Sequence, residues 1–137
     1  MTGVLLDTHT LVWLVEGDER LSVAARKAID DACADQQVWL SAITPWEIGM
    51  LVTKGRLGLG QDAEQWIAAV LALPGVRLAE LSPLIAIASS RLPGVLHGDP
   101  ADRIIAATAR HLDLMLITAD QKLLAYGAQG HLRVQAA

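Results

Sequence analysis

Leu114-Met115-Leu116-Ile117-Thr118-Ala119-Asp120 is an apolar block of strand length that ends on a hydroxyl residue and an acid. It is continuous rather than alternating, as a strand buried on both faces should be. Val4-Leu5-Leu6-Asp7 has the same form, and Val38-Trp39-Leu40-Ser41 is followed six residues later by Glu47. Residues 76–81 and 132–135 are the remaining strand candidates. Segments of helical period separate them. Ser22 caps a predicted helix over 22–34. Thr44-Pro45-Trp46-Glu47 reads as a cap, a proline at the first helical position and a capping-box acid, opening a helix that Gly55 stops near Lys54. A further helix covers 62–72, another runs from Ser82-Pro83 to about Pro93-Gly94, and Asp99-Pro100-Ala101-Asp102 opens the one carrying Ile104 and Ile105. The last is short, over 119–126, and ends at Gly127. Strand blocks alternating with helices predict a parallel α/β sheet.

Four acids stand where an apolar run meets a polar or helix-starting segment: Asp7, Glu47, Asp102 and Asp120. Each alone has a capping explanation. Asp7 fits the cap of a helix starting at Thr8, Glu47 and Asp102 fit the third helical position after Thr44 and Asp99, and Asp120 fits a first helical turn. Together they fall at one edge of the predicted sheet, and ligands of parallel sheets gather beyond the carboxyl ends of the strands. Acids gathered there repel one another until a cation neutralises them, and hard divalent cations favour oxygen ligands. The pattern therefore points to a metal-dependent enzyme.

The chain has 137 residues, 53% of them hydrophobic, and a mean hydropathy of +0.37. That length suits one domain over residues 1–137. So apolar a composition predicts a covered interface, such as a homodimer. The net charge of −4 argues against a nucleic-acid packaging protein, though not against an enzyme that acts on nucleic acid. Met1-Thr2-Gly3 carries no charged leader, charges interrupt every apolar run, and Cys33 has no partner for an internal disulfide. A cytoplasmic protein without a membrane span is expected, with Cys33 as a small core residue.

The four histidines have no zinc spacing; His9 and His97 adjoin the acidic motifs. Gly55, Gly58 and Gly60 form no phosphate loop, and with Lys54 and Arg56 they mark a mobile connection. Residues 93–98 form a second one. Trp13, Trp39 and Trp66 are expected in the core or an interface. Trp46, beside Glu47, is assigned to packing, with stacking on a base as the other reading.

The sequence resembles the PIN-domain family, and within it the VapC-type toxins of bacterial toxin–antitoxin modules. The resemblance is carried by Leu5-Leu6-Asp7-Thr8-His9-Thr10-Leu11-Val12-Trp13, Ser41-Ala42-Ile43-Thr44-Pro45-Trp46-Glu47-Ile48, Lys54-Gly55-Arg56-Leu57, His97-Gly98-Asp99-Pro100-Ala101-Asp102-Arg103 and Leu116-Ile117-Thr118-Ala119-Asp120. These cover nearly the whole chain in order. Position 101, often a larger aromatic in similar chains, is alanine here. The resemblance implies a five-stranded parallel sheet with helices on both faces, Mg²⁺ or Mn²⁺ dependence and cleavage of RNA. It also implies a homodimer that binds a small antitoxin. The family's metal-binding acids carry over to Asp7, Glu47, Asp102 and Asp120, with Thr118 as its small hydroxyl residue. Thr8 and Asp99 are further candidates to support the site, and Asp99 is the ambiguous fifth acid.

The expected chemistry is endoribonuclease cleavage by metal-activated water, leaving 3′-hydroxyl and 5′-phosphate ends. Arg103, Lys54, Arg56 and Lys122 are candidates to guide the phosphate backbone, against the plain reading of solvated surface charges. Two alternatives use the same acidic edge: a Mg²⁺-dependent phosphatase with an aspartate nucleophile, and a partner-binding module switched by metal. The phosphatase reading lacks a second acid two residues after Asp7, and neither alternative accounts for Glu47 and Asp102 together.

Overall fold

Apolar side chains that alternate across a strand need cover on both sides, and the block at Val4–Leu6 is the clearest case. In the computed structural model, which describes residues 3–137, this block is strand β1, at the centre of a five-stranded parallel sheet. Met1 and Thr2 of the amino-terminal reading lie outside the described residues. The order along the chain is β1 (Val4–Leu6), α1 (Thr8–Glu16), α2 (Val23–Ala34), β2 (Val38–Ser41), α3 (Ile43–Thr53), α4 (Ala63–Leu71), β3 (Val76–Ala79), α5 (Pro83–Ser90), α6 (Pro100–His111), β4 (Met115–Thr118), α7 (Gln121–Ala128) and β5 (Val134–Ala136). In space the strands run β3-β2-β1-β4-β5. Val4 pairs with Val38 on one side and Met115 on the other, so β1 is hydrogen-bonded along both edges.

The pleat sends successive side chains to opposite faces. Val4 and Leu6 pack with Leu11 and Val12 of α1, Ala25 and Ile29 of α2, Ile48 of α3, and Trp66 and Val70 of α4. Leu5 faces the other way, with Leu116, Ile105 and Ala106 of α6, and Leu123 and Tyr126 of α7. The sheet therefore has a core and a helical layer on each face. Only the central strands are fully covered: Arg77 and Leu78 of β3 are exposed, as an edge strand allows.

The cap at Ser22 stands as expected, its side chain accepting a hydrogen bond from the Ala25 N–H. The reading of Thr44 as a cap does not. Helix α3 begins at Ile43, and the turn before it is held by Ser41, whose hydroxyl accepts from the Ile43 N–H. Pro45 is tolerated because it lies in the first turn, where an N–H has no intrahelical partner. Helix α5 stops at Ser90, short of the expected Pro93-Gly94, and α7 continues through Gly127 to Ala128. The outer strands are also shifted or shorter than read from sequence: β3 ends at Ala79, β4 begins at Met115 and β5 covers Val134–Ala136.

Gly127 lies where α7 crosses the edge strand β5. A β-carbon there would come within 2.3 Å of one methyl of Val134 and 2.8 Å of the other. Valine has little freedom to turn away. Gly127→Ala should gain helix propensity of about 1 kcal/mol but lose more to overpacking, for a net destabilisation of about 1–2 kcal/mol. Thermal unfolding checks this, and a variant as stable as the parent would mean that α7 and β5 are not packed this closely.

Candidate active site

In this strand order the chain leaves β1 for β2 and β3 on one side and later returns to β4 on the other. The carboxyl ends of β1 and β4 therefore frame the switch point, where open parallel sheets bind ligands. Asp7 follows β1 and Asp120 follows β4 by two residues. Asp7 is buried, at 9% exposure. It caps α1: one carboxylate oxygen accepts from the Thr8 N–H at 2.8 Å, and the other accepts from the Thr118 hydroxyl at 2.6 Å. The Thr118 oxygen in turn accepts from the Asp120 N–H at 3.0 Å. Thr10 adds a strut, its hydroxyl donating to the Ile117 carbonyl at 2.8 Å. The two strand ends are thus locked across the switch point.

Glu47 reaches the same place from α3. One of its oxygens accepts from the Thr8 hydroxyl at 2.7 Å. That bond fixes Glu47 from a helix it does not belong to, and it replaces the capping-box role read from sequence. Asp102 arrives from α6. Its N–H donates to the Asp99 side chain at 2.9 Å, so Asp99 is the cap and the Asp102 carboxylate stays free of it. Gly98 lets Asp102 sit close to the loop, since a β-carbon there would lie 2.7 Å from that of Asp102. Asp120 is itself the cap of α7, accepting from the N–H groups of Lys122 and Leu123.

These acids line one cavity of about 320 Å³ together with His9, Trp13, Asp99, Ala119 and Lys122. Burial pushes the Asp7 carboxyl up from its ordinary range, most of all by desolvation. Burial, and then the charges of Asp7, Asp102 and Asp99, push Glu47 up to about 7. Asp102 is pushed up to about 6 by burial and then by Asp99, Asp120 and Asp7. Carboxyls that resist ionising together are what an uncompensated acidic cavity produces.

A sign follows for stability. Glu47 and Asp102 hold their protons more tightly folded than unfolded, so their contribution is full below about pH 4 and is lost as pH rises through 6 and 7. Because both groups are partly solvated, the loss should be about 1–2 kcal/mol. The chelated protein should melt at progressively lower temperature from about pH 5 to pH 8, and Glu47→Gln should flatten the slope. A pH-independent melting temperature in the parent would show that the acids do not strain one another.

The donor set suits a hard divalent cation. It is almost wholly carboxylate oxygen, and each Asp7 oxygen accepts one hydrogen bond, which leaves a lone pair for a cation. Among the described residues no three carboxylate, imidazole or thiol groups stand close enough, as the side chains lie, to enclose an ion. The acids line a cavity rather than form a closed cage.

The other sequence candidates separate clearly. Of the four cations expected to guide a phosphate backbone, only Lys122 lines this cavity. Arg103 is engaged elsewhere: it donates to the Ser89 and Leu96 carbonyls, both at 2.9 Å, and so holds the 93–98 loop against α6. Lys54 lies in a shallow groove with Trp46, Gly49, Met50 and Thr53, and Arg56 is exposed. His97 is exposed and does not line the cavity, whereas His9 does. Trp13 is expected in the core or an interface. It is half-buried and lines the cavity one helical turn after His9, a spacing that the sequence displayed. Trp66 is buried and donates to Glu16, while Trp39 and Cys33 only border the core. Trp46, assigned to packing, is 57% exposed. A larger cavity of about 490 Å³ lies at the amino ends of β4 and β5, but its arginines are occupied, Arg110 by the His131 carbonyl and Arg133 by Asp113. Among the described residues no helix is long and apolar enough to cross a membrane.

The family model for the PIN domain matches residues 4–128 of this chain. The sequence is 35% identical over 123 residues to Ribonuclease VapC22 of Mycobacterium tuberculosis, covering 90% of this chain and 91% of that protein. Among solved structures, the toxin–antitoxin complex from Klebsiella pneumoniae has a chain 28% identical to this one, with a TM-score of 0.62 and 88% of each chain covered. The DNA-bound VapBC2 complex of Rickettsia felis has a chain of the same fold, with a TM-score of 0.70, 14% identity and 97% of each chain covered.

Proposed function

Because the chain belongs to the PIN-domain family, we propose that it is a metal-dependent endoribonuclease and the toxin of a toxin–antitoxin pair. The observation that carries this reading is the meeting of Asp7, Glu47, Asp102 and Asp120 in one cavity at the switch point of the sheet. The likeness to a ribonuclease and to chains from toxin–antitoxin complexes supports the substrate and the partner. A homodimer is part of the proposal and rests on the apolar composition and the family. So is a single domain over residues 1–137.

Asp7, Glu47, Asp102 and Asp120 would hold Mg²⁺ or Mn²⁺. When bound, the cation supplies charge neutralisation at the scissile phosphate and activation of the attacking water. The chain's own residues do the rest. Thr118 and the Thr8 N–H hold both oxygens of Asp7 at fixed positions, and Thr8 also steadies Glu47. Such anchoring keeps the acids aimed before substrate arrives. Lys122 places a positive charge on the cavity wall for the phosphate, and His9 offers an imidazole on the opposite helix.

The test offers internally labelled RNA and a small phosphomonoester side by side with Mn²⁺. New 5′-phosphate and 3′-hydroxyl ends on the RNA, with no label transferred to protein, are expected. Rapid monoester turnover, phosphorylation of Asp7 and intact RNA would replace the nuclease with an aspartate phosphatase.

A further inference from the structure

The acidic cavity does not end at Glu47. A second cavity of about 420 Å³ shares Glu47 and Asp99 with it, and its remaining wall is Ile43, Trp46, Met50, Pro100 and Ala101. This wall is apolar, and its one aromatic, Trp46, is 57% exposed although it is the largest side chain on that stretch of α3. The position is set by the fold. Trp46 immediately precedes Glu47, and Pro100-Ala101 immediately precede Asp102, so the two helices that deliver acids also deliver the apolar wall. Alanine at 101 is 4% exposed and too small to reach across and cover the indole.

We infer that this cavity is a base-stacking subsite, in which Trp46 takes the unpaired nucleobase next to the scissile phosphate. The inference rests on the ribonuclease reading and specifies how such an enzyme holds its substrate. A phosphate in the acidic cavity carries its neighbouring nucleosides with it, and the adjoining apolar cavity is where one of their bases falls. A nucleobase is flat and apolar on its faces, which suits the exposed indole and its apolar wall, and its own phosphate tethers it to the acidic cavity. Stacking on an aromatic ring needs no particular base, so the subsite selects single-stranded character before sequence. It also places binding energy on a group remote from the bond that breaks, where it serves to position the phosphate.

The experiment is a cycle on one short RNA whose cleavage position has been mapped, with the parent, Trp46→Ala and Trp46→Phe. Each is given the intact RNA and copies in which one flanking nucleotide is abasic. Removing the base on the stacked side should lower kcat/KM of the parent by about 5- to 150-fold. Trp46→Ala should lose about the same factor on intact RNA and then be indifferent to the missing base, while Trp46→Phe should keep most of the discrimination. Because Trp46 is a surface side chain, the alanine variant is expected to fold, and circular dichroism with light scattering on all three proteins checks this. Equal discrimination by parent and Trp46→Ala would overturn the subsite while leaving the nuclease intact. A Trp46→Ala protein that merely falls from dimer to monomer, with base discrimination unchanged, would assign the surface to a second copy of the chain instead. No cleavage of any RNA by the parent would overturn the ribonuclease reading and the subsite with it.

Discussion

Asp7→Asn is expected to lower RNA cleavage by more than a hundredfold and to leave the fold standing. Groups that only orient a metal ligand cost about 10- to 100-fold when removed, and Asp7 is assigned as the ligand itself. Its replacement should therefore exceed Thr118→Val, which removes the 2.6 Å hydrogen bond behind it and should fall within that range. The fold is expected to survive because an amide can still hydrogen-bond both neighbours, although the Thr118 hydroxyl loses its own acceptor. Its oxygen accepts from the Thr8 N–H, and its NH₂ donates to the Thr118 oxygen. The buried position also no longer holds a group whose ionisation is opposed by desolvation. Asp102→Asn should be comparably inactive. Asp99→Asn should be mild, since asparagine caps a helix as well as aspartate does. RNA cleavage assays with melting curves on the four variants decide this. An active Asp7→Asn protein, or an Asp99→Asn protein as inactive as Asp102→Asn, would break the proposed assignment.

Removal of divalent cation should be as severe. In EDTA, cleavage should fall to the limit of detection, and excess Mg²⁺ or Mn²⁺ should restore it. The same titration has a second readout in stability. A ligand that binds only the folded state stabilises it by about 2.7 kcal/mol at a concentration a hundred times its Kd. The gain should grow with pH up to neutrality, because protons on Glu47 and Asp102 compete with the cation. Undiminished cleavage in EDTA, or a melting temperature indifferent to both cations at neutral pH, would rule out the metal site.

What could be read from the sequence depended on how local the cause was. Continuous apolar blocks announced the central strands, and Ser22 and Asp99 announced their helices, because a cap acts three residues away. Glu47 was placed at the site but given the wrong anchor. Its partner, Thr8, is 39 residues distant, and only the folded sheet brings α1 against α3. Arg103 looked like a phosphate guide because an arginine beside an acid is read as surface charge, whereas its real partners are two backbone carbonyls with no sequence signature. Trp46 was assigned to packing, with stacking on a base as the other reading, and the sequence could not choose between them. Whether an indole on α3 meets a neighbour depends on the side chain at Ala101, which faces it from another helix.

The bond between Thr118 and Asp7 spans 111 residues, and this has a consequence for biosynthesis. A ribosome releases Asp7 and Glu47 early, but β1 lacks its second neighbour until β4 has emerged, more than 100 residues later. Until then Asp7 has no Thr118 to hold it, and Asp120 is not yet in place. A product truncated before Met115 carries three of the four acids and no closed switch point. For an enzyme proposed to cut RNA, the arrangement makes activity wait for β4, so a chain abandoned before Met115 is expected not to cleave RNA.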